Sequence, residues 1–188
     1  PPGGTQTAGG AANTTLATTL TGAGTFIKQG TGTLTLNADN SNTSTVVNGG
    51  TLKLGTGSLS STSALTVNSG GTFINSSDLT VGMGGSGTLT VNGGLVSNRK
   101  AWIGRSSGTG TVTVTSGTWV NTGSLTVGGS SRGSTLTIQA GGVVTNGGSA
   151  LIGEGSENFP TIGSGNRVLV TGEGSTWKTA NGLVVGQY

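Results

Sequence analysis

Between Asp78 and Asn146 apolar and polar residues alternate in short runs separated by glycine turns, and the same series of runs is spelled three times. Leu79-Thr-Val-Gly82 leads to Gly87-Thr-Leu-Thr-Val91 and Leu95-Val-Ser-Asn98. Ala101-Trp-Ile-Gly104 leads to Gly110-Thr-Val-Thr-Val114 and Thr118-Trp-Val-Asn121, and Leu125-Thr-Val-Gly128 leads to Ser134-Thr-Leu-Thr-Ile138 and Val143-Val-Thr-Asn146. Alternation with a period of two marks strands with one buried face. A unit of about 23 residues is too small to bury a core alone, so the copies must stack, one repeat forming one coil.

Glycines at 82, 104, 128, 153 and 186 mark the coils, with steps of 22, 24, 25 and 33, so one copy carries an extra loop. The repeat units lie near 79–101, 102–124, 125–149 and 150–182, with the insertion at 154–166. Upstream, the runs at 24–36 and 45–55 flank an Asn/Ser-rich stretch at 37–44 that reads as a loop, and together they make about one and a half coils. Residues 1–20 have almost no apolar pattern and read as a flexible lead-in or a cap, which leaves 21–188 as one solenoid segment. The expected fold is all-β, a right-handed parallel β-helix of about 7 to 8 coils of roughly 22 to 25 residues, about 35 to 40 Å long.

Alternation also assigns faces. In Thr-Leu-Thr-Val the apolar pair points inward, so Thr88, Thr90, Thr111, Thr113, Thr135 and Thr137 form outward columns. Trp119 and Trp177 fall in an inward column with Phe73, Val96 and Val144. Asn48, Asn68 and Asn92, each at the end of a strand and close to a glycine, occupy equivalent corners.

The segment from Gly22 to Gly55 resembles the β-strand repeat of autotransporter passengers. Lys28, Gly30, Gly32, Leu34 and Leu36, then Gly50, Leu52, Leu54 and Gly55, stand where that pattern puts them, with an Asn/Ser-rich turn between. The later copies, Leu-x-Val-Gly followed by Gly-Thr-Leu-Thr-Val, resemble a second repeat type of the same passengers. The resemblance implies a surface-exposed segment exported by type V secretion in a Gram-negative bacterium, from a parent chain whose signal peptide and outer-membrane barrel lie outside this sequence. It implies fold and route more firmly than activity, because one fold hosts many functions.

Composition narrows the chemistry. The 188 residues include 40 Gly, no Cys and no His, which excludes a disulfide scaffold, thiol catalysis, most metal sites and the usual general base. Asp39 and Asp78 fall in different coils, and Glu154, Glu157 and Glu173 lie in turns, so no carboxylate cluster for polysaccharide cleavage is legible. The expectation is a non-enzymatic chain with no cofactor and no metal. The net charge of +3 comes from scattered Lys and Arg without stacking aromatics, which argues against nucleic acid. No apolar run reaches the length of a membrane span, so this segment is not expected to insert in a membrane.

Two places invite a partner. Trp102 replaces the outward threonines Thr80 and Thr126, its column continues through Leu151 and Val184, and Arg99, Lys100 and Arg105 border it. An apolar stripe with a basic rim suits an anionic glycan or a protein. The insertion in the fourth copy carries Glu154, Glu157 and Phe159 on a stretch expected to project from the rod. The reading is an adhesin or stalk segment contacting host-cell or extracellular-matrix proteins or glycans, or other copies of itself, through a repetitive face. The alternatives are an inert spacer, a polysaccharide-active β-helix and, from the ranked Thr-x-Thr pairs, an ice-binding solenoid.

Overall fold

The computed structural model describes residues 3–60, 62–155 and 163–187. They wind into a parallel β-solenoid in which every strand pairs with the equivalent strand of the next coil. Three coils have two strands each: β1 (Thr5–Ala8) and β2 (Thr14–Leu16), β3 (Thr21–Lys28) and β4 (Thr33–Leu36), β5 (Ser41–Val47) and β6 (Gly50–Leu54). Five coils have three. They are β7 (Ala64–Asn68), β8 (Gly71–Asn75) and β9 (Leu79–Met83); β10 (Ser86–Asn92), β11 (Leu95–Asn98) and β12 (Ala101–Arg105); β13 (Thr109–Thr115), β14 (Thr118–Asn121) and β15 (Leu125–Gly129). The last two are β16 (Thr135–Gln139), β17 (Val143–Asn146) and β18 (Ala150–Glu154), and β19 (Arg167–Thr171), β20 (Thr176–Thr179) and β21 (Leu183–Gln187).

The first and second faces are therefore eight-stranded sheets, and the third is a five-stranded sheet running from β9 to β21. Eight strands about 4.8 Å apart stack to about 34 Å. The expected coil of 22 to 25 residues holds for most of the three-faced region, where Ala64, Thr88, Thr111 and Thr135 share a column. It fails upstream, where Thr5, Thr25, Ser44 and Ala64 are aligned, because a coil without a third strand is about 20 residues long. Residues 22–55 accordingly hold two coils rather than one and a half. The segment 5–16, expected as lead-in or cap, is paired into both large sheets as the first coil.

The stretch 37–44, expected as a loop, enters β5 at Ser41. Its polar residues reach the interior with local bonds that satisfy all but one of the Asn42 groups: the Asn42 amide nitrogen donates to Thr45 Oγ1 at 2.9 Å and to Ser44 O, and Ser63 Oγ donates to Asn42 O, while Asn42 Oδ1 is buried without a partner among the described residues. A buried polar group that keeps its partners avoids most of the desolvation cost.

The core is one continuous stack of inward residues, from Phe26, Leu34 and Leu36 through Leu89, Val91 and Ile103 to Leu136, Ile138 and Val144. Each such side chain contributes about 1.5–3 kcal/mol by leaving water. Phe73, Val96, Trp119, Val144 and Trp177 align in one column, as the alternation requires. The five marker glycines all lie in the left-handed region, with φ between 70° and 82°. A side chain there would be strained, and at Gly82 a Cβ would also meet the Thr109 backbone.

At the corner between the second and third faces stands an interior asparagine ladder, Asn75, Asn98, Asn121 and Asn146, buried and in register. Asn98 Nδ2 donates to Asn121 Oδ1 and to Lys100 O, both at 2.8 Å, and Asn98 Oδ1 accepts from Trp119 Nε1 at 2.7 Å. Asn146 Oδ1 accepts from Trp177 Nε1 at 3.0 Å. The amides of Asn75 and Asn146 donate to Asp78 O and Gly148 O, so each of these corners is held by its own asparagine. The exterior asparagines expected at corners form a second ladder: Asn68 Nδ2 donates to Asn48 Oδ1 at 2.7 Å, and Asn92 Nδ2 to Asn68 Oδ1 at 3.4 Å. The left-handed turn positions beside them belong to Gly50, Gly70 and Gly93, not to the asparagines.

Candidate functional site

The third sheet positions the site. Its outward column runs Thr80, Trp102, Thr126, Leu151, Val184, in the order expected from the repeats. The next outward column runs Met83, Arg105, Gly129, Glu154. Trp102 and Arg105 therefore come from one strand, β12, and Glu154 from β18, two strands away along the rod.

The expected open apolar stripe is more closed than the pattern implied. Trp102 and Leu151 are half-buried and Thr126 is only 8% exposed, while Val184 is exposed. What covers Trp102 is its own strand neighbour: the Arg105 guanidinium lies over the indole, 4.5 Å from the ring centroid. At an exposed position this cation–π contact is worth about 0.5–1 kcal/mol. The contact restrains the Arg105 side chain, so freedom that binding would otherwise remove is already reduced.

Gly129 makes the arrangement possible. A Cβ there would approach Trp102 Cδ1 to 3.2 Å and Glu154 Oε2 to 3.4 Å, so the indole and the carboxylate lean toward one bare position from either side. Trp102, Arg105 and Glu154 are thus brought together around Gly129. Gly129 was not singled out by sequence reasoning, although a second glycine directly after the marker Gly128, where the previous coil has Arg105, was its signal. Met83, in the same outward column and 48% exposed, was missed as well because a single methionine carries no pattern.

Arg99 and Lys100 immediately precede β12, about 20 and 17 Å from Arg105 at 3.3 Å per residue. Both side chains are exposed, and Arg99 Nη2 pairs with Asp78 Oδ1 at 3.0 Å, a surface ion pair worth about 0–1 kcal/mol. The expected basic rim is thereby split between the two ends of the strand, with one of its three cations occupied by an acid. Glu157 and Phe159 lie outside the described residues, so of the three candidates on the insertion only Glu154 is placed.

Residues 26–54, from within β3 to the end of β6, match the family model of the passenger-associated-transport-repeat. The match falls inside the Gly22–Gly55 segment that carried the resemblance. No curated protein and no solved structure matches the chain.

Proposed function

A parallel β-solenoid that carries a passenger-associated transport repeat fits an autotransporter passenger built of β-strand repeats, and on that premise we propose that the chain is a surface-displayed, non-enzymatic adhesive segment. Its contact site is the Trp102–Arg105 face, and its partner is an anionic glycan of the host cell or matrix. The observation that carries this reading is the Arg105 guanidinium held over Trp102 above the gap at Gly129.

Arg105 is exposed and carries a planar set of N–H donors, which can grip a sulfate or carboxylate through two hydrogen bonds. The edge of the indole beside it offers apolar surface to a sugar ring, and Glu154 offers an acceptor for a hydroxyl. One such contact is weak. Many passengers on one cell surface meet many glycan repeats on another, and effective concentration turns weak single contacts into firm attachment.

The test is saturable binding of the chain to immobilised heparin, next to the double variant Trp102→Ala, Arg105→Ala, with circular dichroism confirming that both fold. Salt-sensitive binding that the variant loses supports the proposal. Equal binding by the variant, or no binding by a folded wild type, overturns it and leaves a spacer whose stacked core carries another part of the parent protein.

A further inference from the structure

Four asparagines are followed directly by glycine: Asn48, Asn92, Asn146 and Asn181. A glycine in that position has no Cβ to keep its backbone nitrogen away from the side-chain amide carbon of the asparagine. The nitrogen can attack that carbon when its N–H is not committed to an acceptor and the side-chain amide is free to rotate toward it. The fold sets these two conditions differently at the four pairs.

At two pairs the nitrogen is committed. Gly93 N donates to Thr115 O at 2.9 Å, and Gly147 N donates to Asn121 O at 3.0 Å. Asn146 is also buried, with its amide nitrogen bonded to Gly148 O and Thr179 Oγ1 and its oxygen accepting from Trp177 Nε1. At the third pair Gly49 N has no acceptor among the described residues, but Asn48 belongs to the exterior ladder, where its Oδ1 accepts from Asn68 Nδ2 at 2.7 Å. Asn181 meets both conditions. It is exposed in the turn between β20 and β21, and only its backbone is held: Asn181 N donates to Gly148 O at 3.4 Å, and Asn181 O accepts from Thr179 Oγ1 at 2.9 Å. Neither its side chain nor Gly182 N has a hydrogen-bond partner among the described residues.

We infer that Asn181 is a modification site, at which the folded chain deamidates to aspartate and isoaspartate. Gly182 N gives its proton to water or hydroxide and bonds to Asn181 Cγ, and the side-chain nitrogen leaves as ammonia. Water then opens the resulting five-membered imide at one of its two carbonyls. Opening at Cγ gives aspartate. Opening at the backbone carbonyl gives isoaspartate, whose main chain runs through Cβ and Cγ and is one carbon longer. Either product places a carboxylate at the entry to β21, and the isoaspartate form also shifts the start of that strand, which is held by β18 alone.

The test ages the folded chain in mildly alkaline buffer, digests it with trypsin and reads deamidation by mass spectrometry, with isoaspartate resolved by chromatography. Asn181, in the peptide that begins at Thr179, is expected to convert about tenfold or more faster than Asn48, Asn92 or Asn146. In urea, where the fold no longer holds the other three, the four rates are expected to come together. Gly182→Ala checks the nucleophile. A Cβ at Gly182 meets no atom within 4 Å, so the variant keeps the fold, and conversion at Asn181 should slow by about tenfold. Three results overturn the inference: conversion at Asn48, Asn92 or Asn146 as fast as at Asn181 in the folded chain, a preference for Asn181 that persists unchanged in urea, or an unchanged rate in Gly182→Ala.

Discussion

Two regions of this solenoid share a core and differ by one face. In the coils from β1 to β6 the inward column at the end of the second face is Leu16, Leu36 and Leu54. From β8 onward the same column becomes Asn75, Asn98, Asn121, Asn146 and, in the last coil, Thr179, and a third strand follows each of them. An inward leucine ends the coil in a polar connection, whereas Asn75, Asn98 and Asn146 each bond a carbonyl just ahead, where the chain turns into another strand. A polar residue in place of leucine in this column thus accompanies the change from a coil of about 20 residues to one of about 24. The proposed contact site follows the division: Trp102 and Arg105 lie on the added face, which begins at β9.

The largest expected effect strikes the three-faced core. Trp119→Ala removes a fully buried indole and should cost about 3–5 kcal/mol in urea unfolding. Asn98→Leu comes next. It makes this column look like the two-faced region but strands the Trp119 N–H, and should cost about 1–3 kcal/mol. If Asn98→Leu were neutral, the asparagine column would mark the third face without holding it. Gly129→Val tests the surface of the same region: the new side chain pushes the Trp102 indole outward and costs about 1 kcal/mol. Its expected signatures are a red-shifted tryptophan emission and weaker heparin binding.

The smallest effect belongs to the two-faced region. Lys28 is buried at a corner there and donates to Gln29 O at 2.8 Å, Gly49 O at 3.0 Å and Gly30 O at 3.3 Å. Burial lowers its pKa from 10.5. In the window just below 10.5 the unfolded chain then binds more protons than the folded one, so stability should rise as pH climbs through that window. Melting temperatures of wild type and Lys28→Met across that range check it, the variant lacking that part of the rise.

The three-faced region was the more legible in the sequence because each coil repeats the same spelling, and its columns at Trp119, Thr111 and Trp102 follow from counting in twos. The two-faced region was legible as strands but not as coils, since a missing third strand and a polar connection read alike, and Ser41–Ser44 joined a strand despite its polarity. The interior asparagines were hidden for a related reason. An asparagine after an apolar run resembles a turn residue, and only the register shows Asn75, Asn98, Asn121 and Asn146 facing inward. At the candidate site the pairing of Trp102 with Arg105 was legible as proximity on one strand. The role of Gly129 was not, because it depends on what the coils on either side place against it.

The central claim, that adhesion resides on the added face, is tested most directly by a matched pair of charge reversals assayed for heparin affinity. Arg105→Glu alters the three-faced region and Lys53→Glu, at an exposed position of β6, the two-faced region, with the same change in net charge. The account predicts about tenfold or greater loss for Arg105→Glu and a change within about twofold for Lys53→Glu. Equal losses would mean that heparin responds to overall charge, and would contradict a site at Trp102 and Arg105.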